Sequence, residues 1–196
     1  MRDTLETDRL TLRTPQLSDG TAIAHHFSDF DVVKMTGTIP YPYLPLAADF
    51  WIFRARAHQR QGLRHGYMME TRTGDVIGNV SLFRSSQYDV FEIGYHLGRD
   101  WWGHGYATEA CYAVLDAART DGQTQVVAGV YDDNPASQRL LAKFGFIETG
   151  TDNIWCMARG ERVSGRRYAL NLEALSHSSQ NQAGGSSLAS LASKDH

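Results

Sequence analysis

The sequence is poor in the residues that make covalent or metal frameworks. Its only cysteines, Cys111 and Cys156, are far apart with no CxxC or Cys/His spacing, which excludes a disulfide scaffold and a zinc-type cluster and predicts reduced thiols in a cytoplasmic protein. The eight histidines form no HExxH pair, and His25 and His26, being adjacent, point apart on a helix, so no metal site is expected. Basic charge is also short. A formal net charge of −3 argues against the broad cationic face that neutralises phosphates, so no nucleic-acid partner is expected. No apolar run is long enough to cross a membrane, and "MRDTLETDRL" lacks the apolar centre of a signal peptide, so no membrane partner is expected.

What is present suits one globular domain. The chain has 196 residues, 42% of them hydrophobic, enough to bury a substantial core. After Ser176 the composition turns to Ser, Gln, Asn, Gly and Ala, which predicts a domain over 1–175 and a flexible low-complexity tail over 176–196. Nothing in the pattern distinguishes a monomer from a homodimer.

"RLTLRTP" (9–15) alternates like a strand, and "LSDGTAIAHHFSD" (17–29) reads as a helix with Ser18 as its N-cap. Three prolines within residues 40–45 forbid regular structure in a loop that carries Tyr41 and Tyr43, which serve either as core packing or as a substrate wall. Residues 46–62 then read as a helix stopped by Gly62. "YMMETRTGDVIGNVSLF" reads as a hairpin turning at 73–75, and residues 89–98 as a further strand. A helix over 105–122, a strand over 125–131 and a helix over 133–146 follow. Asn134, Pro135 and Gly145 supply the last helix with an N-cap, a first-turn proline and a C-cap. Strand-like pieces at 154–158 and 166–172 close the domain.

"DWWGHGYATEA" (100–110) sets Gly103 and Gly105 where a strand has just ended and a helix begins. Glycines there make a tight turn, or they bare the backbone so that amide N–H groups at a helix N-terminus can hold an anion. Neither GxGxxG nor GxxxxGK[ST] occurs in this stretch, which excludes the Rossmann and P-loop ways of doing so.

The segments "EIGYHLGRDWWGHGYATEA" and "VVAGVYDDNPASQRLLAKFGF" resemble the GNAT acetyltransferase superfamily, specifically the branch containing the Rim-type ribosomal-protein N-terminal acetyltransferases, and the likeness runs from "LETDRLTLR" to about residue 172. The resemblance implies a mixed α/β fold, in which a mostly antiparallel twisted sheet, splayed at one parallel strand pair, is flanked by helices. It implies acetyl-CoA as cosubstrate, with the pyrophosphate on the 102–107 loop: Trp102, Gly103, His104, Gly105, Tyr106 and Ala107. Trp102 stands where the superfamily has a polar residue, which leaves the backbone amides to carry the diphosphate. An amide near His96 and Leu97 would polarise the thioester carbonyl. Leu141 occupies the place of the superfamily's usual acid tyrosine, so the resemblance assigns Ser137 as the acid toward the leaving thiolate and Asn134 as a pantetheine contact. Glu92 is the candidate base and His96 the second choice, while Asp132 and Asp133 would give the acceptor mouth a negative field. The implied activity is direct transfer of acetyl to a primary amine, of a protein N-terminus or of a small molecule. The other reading is a catalytically silent acyl-CoA-binding sensor or scaffold.

Overall fold

A computed structural model describes residues 1–85 and 89–175; the tail expected over 176–196 lies outside the described residues. In chain order the elements are β1 (Thr4–Glu6), β2 (Leu10–Arg13), α1 (Gly20–Phe27), α2 (Phe30–Val33), α3 (Leu46–Arg60), β3 (Arg64–Thr71), β4 (Val76–Arg84), β5 (Phe91–Leu97), α4 (Tyr106–Thr120), β6 (Gln125–Tyr131), α5 (Pro135–Phe144), β7 (Ile147–Cys156) and β8 (Glu161–Asn171). The strands form one sheet in the order β1-β2-β3-β4-β5-β6-β8-β7, antiparallel throughout except at β5–β6.

Both faces of the sheet are covered. On one, Ala110, Cys111, Val114, Leu115 and Ala118 of α4 and Leu140, Leu141 and Phe144 of α5 join Tyr67, Val80, Leu82 and Ile93 in the main core. The α4 residues recur every three or four positions, the stripe that makes a helix dock. On the other face, Ile23 and Phe27 of α1 and Trp51, Ile52 and Ala55 of α3 close over Met68. Tyr67 and Met69 face the first layer and Met68 the second, which explains the unbroken apolar run at the centre of β3.

Some local expectations change. Ser18 caps nothing; a 3-10 turn over Leu17–Asp19 precedes α1, and the Asp19 carboxylate takes the Gln16 N–H at 2.7 Å and both Nη atoms of Arg13. The ion pair with Arg13 fixes that residue as the anchor of the bend. β7 begins at Ile147, earlier than residue 154, because its first half is an exposed edge strand held by pairing with β8 and carries no apolar alternation to read. Tyr43 is buried against Phe27, ring centroids 5.0 Å apart, and belongs to the second core, whereas Tyr41 is exposed and sits against Phe30.

Candidate functional site

β5 and β6 part almost as soon as they meet. Only Phe91–Val126 and Glu92–Val127 are paired, while β5 stays in register with β4 along its whole length. The Gly98 N–H bonds the Ile77 carbonyl at 3.0 Å, so the backbone at that position is turned toward β4. Strand alternation then aims the N–H groups of Tyr95 and Leu97 into the gap and that of His96 toward β4. Of the two amides expected near the gap, only that of Leu97 faces it. The Trp102 indole N–H takes the Leu97 carbonyl at 2.9 Å, so the residue standing in the polar position of the loop uses its one donor to hold the end of β5.

The glycine loop follows at once. Gly103 and Gly105 have φ of +80° and +81°, a region closed to most side chains, and a Cβ added at Gly103 would meet nothing within 4 Å. Gly105 is the N-cap of α4 and brings no side chain to its first turn, so the leading amides of α4 have no side-chain cap. Arg9 braces the loop: its Nε bonds Glu109 of α4 at 2.6 Å, its Nη1 bonds the His104 carbonyl at 2.9 Å, and its guanidinium stacks 4.5 Å from the Tyr106 ring centroid. Ala107 packs against the main core.

A cavity of about 670 Å³ joins the gap to the α1/α3 face of the sheet. Glu92, Gly94 and His96 share that face, in agreement with period-two counting, and Tyr95 lies on the other. The Glu92 carboxylate is 3.3 Å from Arg167, whose guanidinium also binds Asp152 at 2.7 Å. Burial lifts the Glu92 carboxyl above its ordinary value; Arg167 pulls it down and Asp152 adds to the rise. His96 is different. Burial, with His26 and Arg64 adding to it, drives its pKa down to about 3, so the ring is neutral and a poor acceptor for an ammonium proton. Its Nε2 is enclosed with no hydrogen-bond partner among the described residues.

On the far side of the gap, Asn134 caps α5, its Oδ1 accepting the Ser137 N–H at 3.1 Å, which leaves its amide nitrogen and the second lone pair of Oδ1 for a ligand. The Ser137 Oγ accepts a 3.1 Å hydrogen bond from the Tyr95 hydroxyl. Tyr95 was not among the residues singled out from sequence, nor were Arg167 and Arg64, which also line or brace this space. Parity along "EIGYHL" places Tyr95 opposite Glu92, but no local pattern shows that a helix 42 residues later meets it. Asp132 and Asp133 are paired with Arg166 at 3.0 Å and Arg159 at 2.8 Å, which offsets part of the negative field expected of them, Arg166 being shared with Glu148 at 2.9 Å. Among the described residues no cluster of three or more His, Cys, Asp or Glu is placed to hold a metal, and no helix is long and apolar enough to cross a membrane.

A family model described as "Acetyltransferase (GNAT) domain" matches residues 9–147. Two curated relatives are an uncharacterized N-acetyltransferase YoaA of Bacillus subtilis (strain 168), 33% identical over 170 residues covering 85% of this chain and 95% of its own, and an uncharacterized N-acetyltransferase p20 of Bacillus licheniformis, 29% identical over 171 residues covering 86% and 96%. Among solved structures, Mycobacterium smegmatis RimJ in complex with CoA-disulfide superposes with a TM-score of 0.75 at 20% identity, covering 87% of this chain and 88% of that one. At that identity the likeness speaks for the fold.

Proposed function

The chain belongs to the GNAT acetyltransferase family, and we propose that it passes the acetyl group of acetyl-CoA directly to a primary amine held in the cavity on the Glu92 face of β5. It is an acetyl-CoA-dependent N-acetyltransferase. The observation that carries the direct-transfer reading is the continuity of three features: the glycine loop at the start of α4, the open β5 edge beyond Glu92, and the cavity that reaches both Glu92 and Ser137. These residues fit the cosubstrate, because a bare positive-φ loop ahead of an uncapped helix suits a diphosphate and an unpaired strand edge suits an amide-bearing arm.

Acetyl-CoA, when bound, supplies a thioester whose acyl carbon takes the amine and whose sulfur leaves as thiolate. The chain supplies the rest. Glu92, its proton affinity raised by burial, accepts the proton that the amine sheds as the N–C bond forms. The Leu97 N–H, aimed into the gap, donates to the carbonyl oxygen as charge develops there. Ser137 returns a proton to the sulfur as the C–S bond breaks. Because the Tyr95 hydroxyl donates to the Ser137 Oγ, the serine's own hydrogen is directed elsewhere, free for the leaving group. The acceptor is a primary amine, whether of a protein N-terminus or a small molecule.

The test is incubation with acetyl-CoA and a panel of small amines and N-terminal peptides, reading free thiol and acetylated product. Release that tracks the amine supports transfer. Tight acetyl-CoA binding with no release from any amine would leave an acyl-CoA-binding module and overturn the proposal.

A further inference from the structure

Many arginines of this protein are answered by carboxylates. Arg13 pairs with Asp19, Arg99 with Asp29, Arg159 with Asp133, Arg166 with Asp132, and Arg167 with Asp152 and Glu92. Arg64 is an exception, and it lines the cavity. It opens β3 opposite Phe83 of β4, which in turn lies opposite Glu92 of β5, so Arg64 and Glu92 stand on one face two strand spacings apart, about 10 Å between backbones. Its Nη2 donates to Ser81 Oγ at 2.9 Å and reaches Asn79 Oδ1 at 3.4 Å; its Nε is enclosed with no partner among the described residues. The Trp51 ring lies 5.3 Å from the guanidinium carbon. Among the described residues Arg64 makes no ion pair.

The neighbouring charge worsens this position. Arg54 lines the same end of the cavity, also without an ion pair among the described residues, and His58 lies beside them. Burial, then the repulsion of Arg54, pulls the Arg64 pKa down to about 10. A half-buried guanidinium with an enclosed, unfilled Nε donor and a like charge nearby is an arrangement that costs stability unless something supplies the anion. A planar fork of donors at the wall of a cavity is suited to take a carboxylate or phosphate in two-pronged fashion. At the other end of the same face stands Glu92, the residue assigned to the amine.

We infer that the acceptor is an amine that also carries an anionic group, a carboxylate or a phosphate, and that Arg64 receives that group while the amine faces Glu92. This rests on the acetyltransferase reading and adds the substrate class to it. The two fixed charges on one wall select length as well as sign, because an amine and an acid a few atoms apart can span from the guanidinium toward the carboxylate.

The experiment compares matched acceptors with acetyl-CoA: an amino acid against its amide, phosphoethanolamine against ethanolamine, and a short peptide with aspartate next to its N-terminus against the asparagine version. The acidic member of at least one pair should be favoured tenfold or more in kcat/KM, and the favoured pair tells carboxylate from phosphate and free acid from peptide. Arg64→Met keeps the stem against Trp51 and should collapse that ratio toward one, with Arg64→Lys in between. Acetyl-CoA affinity should be unchanged, which also shows that the variant is folded. Should Arg64→Met not fold, the ratio in the unaltered protein still decides. Equal use of neutral and acidic acceptors, or a preference that survives Arg64→Met, overturns this inference alone. Transfer to no member of any pair overturns the acetyltransferase reading and this inference with it.

Discussion

The hydroxyl of Tyr95 on β5 and the Oγ of Ser137 in the first turn of α5 are 3.1 Å apart, with the tyrosine donating, and this bond spans the gap between the two halves of the sheet. Burial pushes the Tyr95 phenol well above its ordinary pKa, so it stays protonated and keeps donating across the working pH range. Ser137→Ala should slow turnover on the order of 10²-fold, as expected for a lost general acid, with little change in acetyl-CoA affinity. Tyr95→Phe should slow it less, and the double variant should be no worse than Ser137→Ala, since the tyrosine acts through the serine. Steady-state kinetics on the three variants check this; independent, multiplying losses would separate the two residues.

Glu92 carries a pH prediction. Its carboxyl titrates above the usual glutamate range, and only the carboxylate accepts a proton, so the rate should rise with pH through that raised value and plateau above it. Glu92→Gln should remove this acidic limb, lower the rate most near neutral pH, and recover partly in alkali as the amine deprotonates unaided. A lowered rate with the limb intact would point instead to acceptor binding.

Gly103 separates ligand approach from packing. A Cβ there meets no atom of the protein within 4 Å, so Gly103→Ala costs only backbone strain at φ +80°, about 1–2 kcal/mol. Calorimetric titration should nonetheless show acetyl-CoA binding weakened tenfold or more, with the fold intact by circular dichroism. Unchanged affinity would mean that the loop merely turns the chain.

Asp19 tests stability away from the site. Its side chain is 2% exposed, and it answers both Nη atoms of Arg13 and the Gln16 N–H. Asp19→Ala should destabilise the protein by about 3–5 kcal/mol, because it leaves Arg13 half-answered and a backbone donor unfilled. Urea denaturation is the measurement, and a loss under 1 kcal/mol would show that Glu70, whose carboxylate also bonds Arg13 Nε, alone suffices for Arg13.

Elements whose ends are written locally were legible in the sequence. β6 falls on 125–131 as read, and α5 lies within 133–146 because Asn134, Pro135 and Gly145 mark its limits with chemistry that acts over a few residues. β1 and α2, three and four residues long, are too short for a period to show. The candidate site divides the same way. Glu92 and the glycine loop stand out along the chain, whereas Tyr95 meeting Ser137, Arg167 meeting Glu92, and Arg64 meeting Ser81 arise only when distant segments cross. The fate of Asp132 and Asp133 makes the point from the opposite side: they read as an open negative patch until Arg166 and Arg159, later in the chain, pair with them.

The two-rung pairing of β5 with β6 also bears on how the molecule breathes. Five strands lie on one side of that seam and three on the other, and along the strands themselves only Phe91–Val126 and Glu92–Val127 stitch them together. A ligand lying in the seam would work as a cross-brace between leaves that are otherwise joined through α4 and α5, the Glu92–Arg167 ion pair and the hydrogen bonds of the 34–37 loop to Tyr131, Cys156, Met157 and Arg159. Amide exchange at Tyr95, Leu97 and along β6 should therefore slow when CoA is added, and the melting temperature should climb with ligand concentration by mass action. The slot proposed for the substrate would then also be a joint that the unliganded protein opens more readily than the liganded one.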